Sequence, residues 1–484
     1  MTTHREGHLH LNAFLMSTGH HEASWRLPES DPSYVSTNIA YLQRLAQTAE
    51  RGKLDSIFFA DGPALHRDIG RRPSGTLEPT VVLAAIAAVT QRIGLIATAS
   101  TTYNDPYNLA RRFASVDHIS NGRAGWNIVT TAFVEAARNF GLDEQPAHAD
   151  RYARAAEFIE VALKLWDSWE DDAEIGDKEA GVWGDASRVH PIGHVGEHFR
   201  VAGALTTPRS PQAHPLLVQA GSSEDGKDLA ARYAEAVFTA QQTLEDAQAF
   251  YADLKRRAVE WGRDPATVLV LPGIVPVIGA TEAEAREKED ELDRLINPEY
   301  ARVQLAAQLR VDPEELPLDR ELPDHLPSED EIEGAKSRYT LIVNLARRER
   351  LTVRQLIGRL GGGRGHRTFS GTAEQVADAI QDWYDRGAAD GFNIMPAVLP
   401  SGLEEFVDQV VPILVDRGIF RSEYTGTTLR DHYGLERPAN PHTVARRAAL
   451  AALPSQTAGD AAPTTAAAAP TGPAPAPVTR GVHA

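Results

Sequence analysis

Eight short apolar runs, each associated with a segment of helical periodicity, most constrain the fold of this 484-residue chain. Apolar positions within these runs are continuous rather than alternating, which indicates strands covered on both faces, as in a parallel sheet. The predicted strands are 9–15, 56–61, 93–100, 124–130, 216–221, 236–240, 268–279 and 391–398. Eight strand–helix units are typical of the (β/α)8 barrel, so we predict an α/β fold of the TIM-barrel type.

Two intervals are too long to be simple connections between these units. Residues 170–214, after strand 4 and its helix, contain turn and strand-like pieces. Residues 280–370, after strand 7, contain charged helices and a Pro-rich acidic loop, DPEELPLDRELPDHLPSEDE. We predict that residues 1–440 form one barrel domain carrying these two insertions. Residues 441–484 are predicted to be an Ala/Pro-rich, mostly disordered tail, because such a composition lacks the side chains that offset the entropy of ordering.

Composition excludes several classes of function. The formal net charge of −18 argues against a surface for nucleic acid or an anionic membrane. Cysteine is absent, which excludes disulfides, thiolate nucleophiles and Cys-ligated metal sites. The first residues, MTTHREGHLHLNAF, contain no apolar segment of a secretory signal, and no later apolar run approaches the length of a membrane span. We therefore expect a cytoplasmic enzyme.

Polar side chains recur where the predicted strands end, which is the end at which barrel enzymes place their chemistry. The group is mostly neutral, with a single carboxylate, and therefore suits a heteroaromatic ligand better than a metal ion. No Gly-x-Ser-x-Gly elbow and no second acidic strand end accompany it, so neither a hydrolase triad nor a glycosidase carboxylate pair is expected. The group comprises Asn12, Asp61, Thr98, Ser100, Asn127, Thr130, Thr131, Gln219, Gly221, Ser222 and Ser223.

The stretch HPLLVQAGSSEDGKDLAARYAE reads as a strand, a turn at Gly221-Ser222-Ser223 and a helix. Backbone N–H groups at a helix start, with two hydroxyls beside them, form an anion-binding site, and phosphate is the expected ligand. Ordinary capping of the helix by Ser222 or Ser223 explains the same residues. Both interpretations remain open from the residues alone.

Histidines raise the question of a metal site. His8 and His10 alternate along the first predicted strand, as paired ligands do, but the later strand ends supply no further ligands, so no metal is expected. His20 and His21 lie in the first loop, where they contact a substrate or face water. His148 and Tyr152 lie at the start of an amphipathic helix, from which their side chains can reach the barrel mouth. Most aromatic residues of that helix are expected to be buried in the core instead. The run GGGRG at 361–365 is predicted to be a loop and is no dinucleotide fingerprint.

Several long segments resemble the luciferase-like flavin monooxygenases of the nitrilotriacetate monooxygenase type. Members of this group oxidise aminopolycarboxylates, dibenzothiophene sulfone and long alkanes. The resemblance extends to about residue 440 and is specific for the family but not for the substrate. The segments are TGHHEASWR (18–26), FFADGPAL (58–65), DPYNLARRFASVDHISNGRAGWNIVTT (105–131), NFGLDE with HADRYARAAEFIEVALKLWDSW (139–169), VQAGSSEDGKDLAARYAEAVFTAQ (218–241), GTAEQVADAIQDWYDRGAADGFNIMP (371–396) and RGIFRSEYTGTTLRDHYGL (417–435).

The resemblance implies a barrel that binds reduced FMN. Matching motif positions make Asp61, Thr98, Thr131, His148, Tyr152 and Ser223 the flavin contacts, with Ser100 as the alternative to Thr98. Gly221, Ser222 and Ser223 would hold the phosphate, in agreement with the helix-start argument. The candidates for catalytic groups are His20, His21 and Asn127.

The resemblance also implies a two-component reaction. A separate NAD(P)H:flavin reductase would supply reduced FMN, which activates O2 as a C4a-peroxyflavin and oxygenates a small organic substrate. A homodimer or homotetramer is expected from the family alone. Two alternatives are a flavin- or deazaflavin-dependent hydride-transfer oxidoreductase of the same superfamily and a non-catalytic flavin-binding protein. Insertion 280–370 is the candidate lid, and its arginines Arg302, Arg310 and Arg338 contact an anionic substrate or form surface ion pairs.

Overall fold

The computed structural model describes residues 7–28, 30, 37–65, 69–71, 73–131, 133–328, 331–332, 336–363 and 365–452. Its centre is a closed barrel of parallel strands, which confirms the predicted fold class. In chain order the barrel strands are β1 His10–Phe14, β2 Ser56–Phe59, β3 Gly94–Ser100, β4 Ala124–Val129, β5 Leu216–Gln219, β6 Ala236–Thr239, β7 Leu269–Ile278 and β8 Gly391–Ile394. Strands pair in sequence order from β1 to β7, and β8 closes the ring between β7 and β1.

Burial of the strands on both faces explains their continuous hydrophobicity. Every residue of β1, β2, β3, β5, β7 and β8 is buried, as expected for a parallel sheet under a layer of helices. Trp126 of β4 packs between Phe113 and Phe158 of the surrounding helices, with ring centroids 5.9 and 5.7 Å away. Each such side chain contributes about 1.5–3 kcal/mol through removal of apolar surface from water.

Helices surround the barrel, as the pattern of strand–helix units predicted. The helix before β4, Pro106–Ile119, is followed by Asn121 and Gly122, whose φ angles of 57° and 85° are the left-handed conformation that an Asn-Gly pair favours. Among the described residues, no helix is long and apolar enough to cross a membrane. The described helices outside the long insertion are Ile39–Arg51, Pro79–Ala87, Pro106–Ile119, Val134–Asn139, His148–Trp166, Glu224–Tyr233, Leu244–Glu260, Ala373–Asp385, Ser401–Glu405, Val411–Asp416, Leu429–His432 and Pro441–Ala451. A π-helical turn at Phe406–Val410 joins Ser401–Glu405 to Val411–Asp416.

Insertion 170–214 consists of two hairpins, Glu174–Asp177 with Val182–Gly184 and His194–Val195 with Arg200–Val201. Insertion 280–370 contains the helices Glu282–Arg294, Pro298–Leu309, Lys336–Glu349 and Val353–Gly363. It then forms one further strand, Arg367–Gly371, which pairs with the second half of β7. The sequence analysis missed this strand. It also placed Gly361–Gly363 in a loop, whereas these glycines form the end of a helix.

The carboxyl-terminal boundary differs from the predicted one. A helix, Pro441–Ala451, occupies the start of the predicted tail. Asn440 attaches it to the barrel, because its amide nitrogen donates to the carbonyls of Asp167 at 2.9 Å and Trp169 at 2.8 Å. The remaining predicted tail, residues 453–484, lies outside the described residues.

Asn12 does not lie at the barrel mouth, contrary to the sequence analysis. It pairs with Ser56, the first residue of β2, and therefore lies near the amino-terminal end of the barrel. Its side chain accepts hydrogen bonds from Ser56 Oγ at 2.9 Å and from the Tyr433 hydroxyl at 2.7 Å. His10, considered as a metal ligand, bonds through Nδ1 to buried Asp55 at 3.2 Å.

Candidate functional site

A cavity of about 810 Å³ opens at the carboxyl ends of the barrel strands. Its walls come from the loops after β1 and β2, from the ends of β5, β6 and β8, and from the long insertion. Four of the predicted site residues line it, namely His20, His21, Asp61 and Ser222. Aromatic side chains form part of the rest of the wall, and two of them, Phe14 and Phe238, meet edge-on. The aromatic residues that line the cavity are Phe14, Trp25, Phe59, Phe133 and Phe238.

The loop after β1 carries the two histidines over the end of β8. Backbone N–H groups of His20 and His21 donate to the carbonyls of Pro396 at 2.9 Å and Ala397 at 3.1 Å. Gly19 permits this approach, because its φ is +134° and an added Cβ would lie 2.2 Å from the Ala397 carbonyl oxygen. Close backbone approach of this kind requires glycine.

The two histidines differ in what they can do chemically. His20 Nε2 bonds the Phe14 carbonyl at 2.9 Å, so this nitrogen carries the proton and orients the ring at the cavity wall. His21 bonds Asp293 through Nε2 at 3.2 Å and accepts from the Ala23 N–H at Nδ1, also at 3.2 Å. With both ring nitrogens engaged, His21 connects the first loop to the insertion helix Glu282–Arg294.

Replacing Gly19 tests this arrangement. Gly19→Ala is expected to reduce the free energy of unfolding by about 1–3 kcal/mol more than Gly75→Ala does, because the added Cβ would collide with the Ala397 backbone and force the two segments apart. The position of His20 should change with it. Gly75→Ala is the matched control, since Gly75 also lines the cavity at φ +89° but an added Cβ meets nothing within 4 Å. Urea unfolding and activity of both variants check the prediction, and equal effects would contradict it.

Asp61 is the carboxylate at the end of β2. Burial, followed by repulsion from Glu78, raises the pKa of Asp61 above its usual value. A carboxyl that retains its proton more readily can donate a hydrogen bond to a carbonyl oxygen of a bound ring.

The amides and hydroxyls of β3 and β4 bond to one another across the strand pair. Asn127 Nδ2 donates to Thr98 Oγ1 at 2.8 Å, and Thr131 Oγ1 lies 2.8 Å from Ser100 Oγ. These four residues are buried and do not line the cavity. The Asn127 amide oxygen has no hydrogen-bond partner among the described residues, and a buried acceptor of this kind is costly unless a ligand satisfies it.

Sequence reasoning missed Arg151, a buried arginine next to this pair. Its guanidinium donates to the Thr131 carbonyl at 3.0 Å and to Thr130 Oγ1 at 3.3 Å. Its Nε donates to the Pro146 carbonyl at 3.1 Å. Arg151 therefore holds the loop between β4 and the next helix against the strand end, where Thr131 adopts a φ of 45°. Only its place on the inward face of an amphipathic helix could have indicated this role.

His148 and Tyr152 lie beside the predicted anion site. His148 is the first residue of the helix His148–Trp166, and Ala147 at the N-cap makes no side-chain hydrogen bond. His148 Nδ1 lies 2.9 Å from the Asp225 carboxylate, and its ring is 4.8 Å from the Tyr152 ring. The pair therefore adjoins the first turn of the helix Glu224–Tyr233.

The start of that helix combines the two interpretations of Gly-Ser-Ser. Ser223 caps the helix, since its Oγ accepts from the Gly226 N–H at 3.2 Å. Ser222 lines the cavity, and its hydroxyl lies 3.3 Å from Thr239 Oγ1. An added Cβ at Gly221 would lie 2.4 Å from Gln219 Nε2 and 3.1 Å from Gly226 Cα. The turn is therefore a tight cradle at a helix N-terminus on the cavity wall, which fits a phosphate.

Comparison with known proteins agrees with this geometry. The family model "Luciferase-like monooxygenase" matches residues 14–390. The chain belongs to this family. Nitrilotriacetate monooxygenase component A of Aminobacter aminovorans is 49% identical over 445 residues, which is 89% of this chain and 97% of that protein. The family identifies the protein as an enzyme of the flavin-dependent, luciferase-like monooxygenases, as the resemblance implied.

Solved structures of similar proteins extend the comparison. EDTA monooxygenase from Chelativorans sp. BNC1 is 36% identical, with a TM-score of 0.78 over 90% of this chain and 100% of the other. A riboflavin lyase structure with modified FMN and the substrate riboflavin is 32% identical, with a TM-score of 0.79 over 90% of this chain and 97% of that one. This luciferase-like monooxygenase therefore shares its barrel with a protein whose structure contains a modified FMN.

Proposed function

We propose that this protein is the oxygenase component of a two-component, FMN-dependent monooxygenase. The observation that carries the proposal is the position of the tight turn Gly221-Ser222-Ser223, which begins a helix and places Ser222 on the wall of a cavity of about 810 Å³. One cavity can therefore receive both an isoalloxazine ring and its phosphate. A separate NAD(P)H:flavin reductase would supply the reduced FMN.

Bound reduced FMN would supply the chemistry, by activating O2 as a C4a-peroxyflavin that oxygenates a small organic substrate. The residues of the chain bind and orient. His148, Tyr152 and the Glu224–Tyr233 helix start would hold the phosphate end. Asp61 would face the ring, and His20 is the candidate for a group near the reacting atoms. Thr98, Asn127 and Thr131, which are buried and do not line the cavity, stay predictions from the resemblance. The apolar and aromatic part of the wall would exclude water, which favours oxygen transfer over release of hydrogen peroxide.

The names of the relatives indicate a chemical class to which the substrate belongs. Nitrilotriacetate and EDTA, named for two similar proteins, are both polycarboxylates. Homo-oligomerisation remains a prediction from the family, and light scattering of the purified protein measures it.

Rapid mixing of the protein–FMNH2 complex with O2 tests the proposal. We expect a transient absorbance of the C4a-peroxyflavin that decays more slowly than free FMNH2 oxidises. A complex that oxidises without this transient, yet transfers deuterium from labelled flavin to an acceptor, would support the hydride-transfer alternative. Tight binding of FMNH2 without either reaction would identify a flavin-binding protein.

A further inference from the structure

Arg338, in the helix Lys336–Glu349, reaches the cavity from the long insertion and lines it together with Leu341 and His366. Among the described lining residues it is the only Lys or Arg, whereas the carboxylates Glu22 and Asp61 also line the cavity. Among those residues, the fixed positive charge therefore belongs to the insertion rather than to the barrel.

Arg338 differs from the paired surface arginines of the insertion, because it makes no hydrogen bond or ion pair within the described residues. Its side chain is half-buried at the cavity wall. Burial lowers the pKa of Arg338 below its usual value, although a guanidinium remains protonated at neutral pH. A partly desolvated cation without a counterion is unfavourable, and binding of an anion would relieve that cost. Its neighbours in the insertion are paired on the surface: Arg302 with Glu299, Arg354 with Asp319, and Arg359 with Glu349.

The glycine run at 361–365 accounts for the position of Arg338. Gly365 has a φ of +89°, and an added Cβ there would lie 3.0 Å from Leu341 Cδ2 and 3.3 Å from Arg338 Nη1. Gln242 Nε2 fixes this backbone by donating to the Gly365 carbonyl at 2.7 Å. The next residue, His366, stacks on Phe238 with ring centroids 5.0 Å apart. The guanidinium of Arg338 therefore lies beside the Gly365 backbone, which leaves room for it because Gly365 has no side chain.

We propose that Arg338 binds a carboxylate of the substrate, so that the substrate is a small organic acid oriented by the insertion. The proposal rests on the proposed function and narrows it to a substrate class. A planar guanidinium fork matches a carboxylate in a bidentate pair, which fixes orientation as well as charge. The phosphate of the flavin has its own site at the Glu224–Tyr233 helix start, so Arg338 is left for the second ligand.

Calorimetric titration of the FMN-loaded protein with succinate and glutarate, and with their uncharged diamides, tests the proposal without any turnover. We expect the diacids to bind at least about ten-fold more tightly than the diamides. Arg338→Gln should remove this difference. Arg338→Lys should keep part of it, because the charge remains while the fork is lost. Arg302→Gln is the matched control and should behave as the unsubstituted protein does, since Arg302 is already paired with Glu299 at 2.8 Å.

Three results would overturn the proposal. The diacids and diamides could bind equally or not at all to the unsubstituted protein. Arg338→Gln could retain the preference for diacids. Arg338→Gln could instead weaken FMN while leaving the diacids unaffected, which would assign Arg338 to the flavin phosphate. Unfolding curves show that each variant is folded. A negative result in these titrations does not change the expected result of rapid mixing with O2, so the substrate proposal can be rejected while the proposed function stands.

Discussion

Ser223→Asp is expected to weaken FMN binding about 100-fold while changing riboflavin binding little. One repelled unit charge at about 5 Å and an effective dielectric constant of about 20 costs about 3 kcal/mol, roughly a factor of 100 in Kd. Only FMN carries the phosphate that the new carboxylate repels. Asp is also a good N-cap, so it can replace the Ser223 Oγ that accepts from the Gly226 N–H. Fluorescence titration of both flavins measures the two affinities.

A matched control shows whether the effect of a new carboxylate is specific to the start of the helix Glu224–Tyr233 or is produced at any helix start. Thr281 caps the helix Glu282–Arg294 in the same way, accepting from the Glu284 N–H at 3.2 Å, and it does not line the cavity. Thr281→Asp should leave the affinities for both flavins unchanged. Equal weakening of FMN and riboflavin by Ser223→Asp would show that the phosphate does not bind at this helix start.

Asp55→Ala is expected to lower the free energy of unfolding by about 3–5 kcal/mol, because it leaves buried charge without its partner. Asp55 is fully buried at the amino-terminal end of the barrel. Its carboxylate accepts from the Leu11 N–H at 2.7 Å, pairs with Arg421 and bonds His10. The Arg421 guanidinium, itself mostly buried, would remain without a carboxylate. Urea unfolding measures the difference.

The same experiment has a pH dependence with a defined sign. Burial acts to raise the pKa of Asp55, but Arg421 and His10 outweigh it and hold the pKa below its usual value. The stabilisation is therefore complete above the unfolded-state pKa of about 4 and is lost as pH falls through the lower folded-state pKa. Asp408→Ala is the control, because the Asp408–Arg51 pair is exposed and such pairs contribute about 0–1 kcal/mol. A loss no larger than that of Asp408→Ala would contradict the prediction.

Local sequence patterns were sufficient to predict the barrel and some of the residues at its mouth. Continuous apolar runs located all eight barrel strands, because strands buried on both faces must be apolar throughout. The Asn121-Gly122 pair fixed a helix end through the left-handed conformation that it alone favours locally. Asp61 and Ser222 reached the cavity because the carboxyl end of a parallel strand always points to the same rim.

The level along the barrel axis at which a strand residue lies was harder to predict from the sequence. Asn12 and Asn127 both interrupt apolar strands, yet Asn12 bonds Tyr433 near the amino-terminal end, and Asn127 bonds Thr98. Strand register decides which level a residue occupies, and register depends on neighbours far away in the chain. The strand Arg367–Gly371 was missed for a related reason, since only its pairing with β7 distinguishes it from a loop.

The sequence by itself therefore determined the barrel, its family and the helix start that Ser223 caps, because each depends on contiguous residues with a fixed period or motif. Tertiary structure alone decided that His21 bonds Asp293, that Arg151 holds the β4 loop, and that Arg338, rather than Arg302, lines the cavity. Packing of the insertion and the helices on the barrel brings these partners together. Local sequence therefore does not predict which of several similar side chains becomes buried or reaches the cavity.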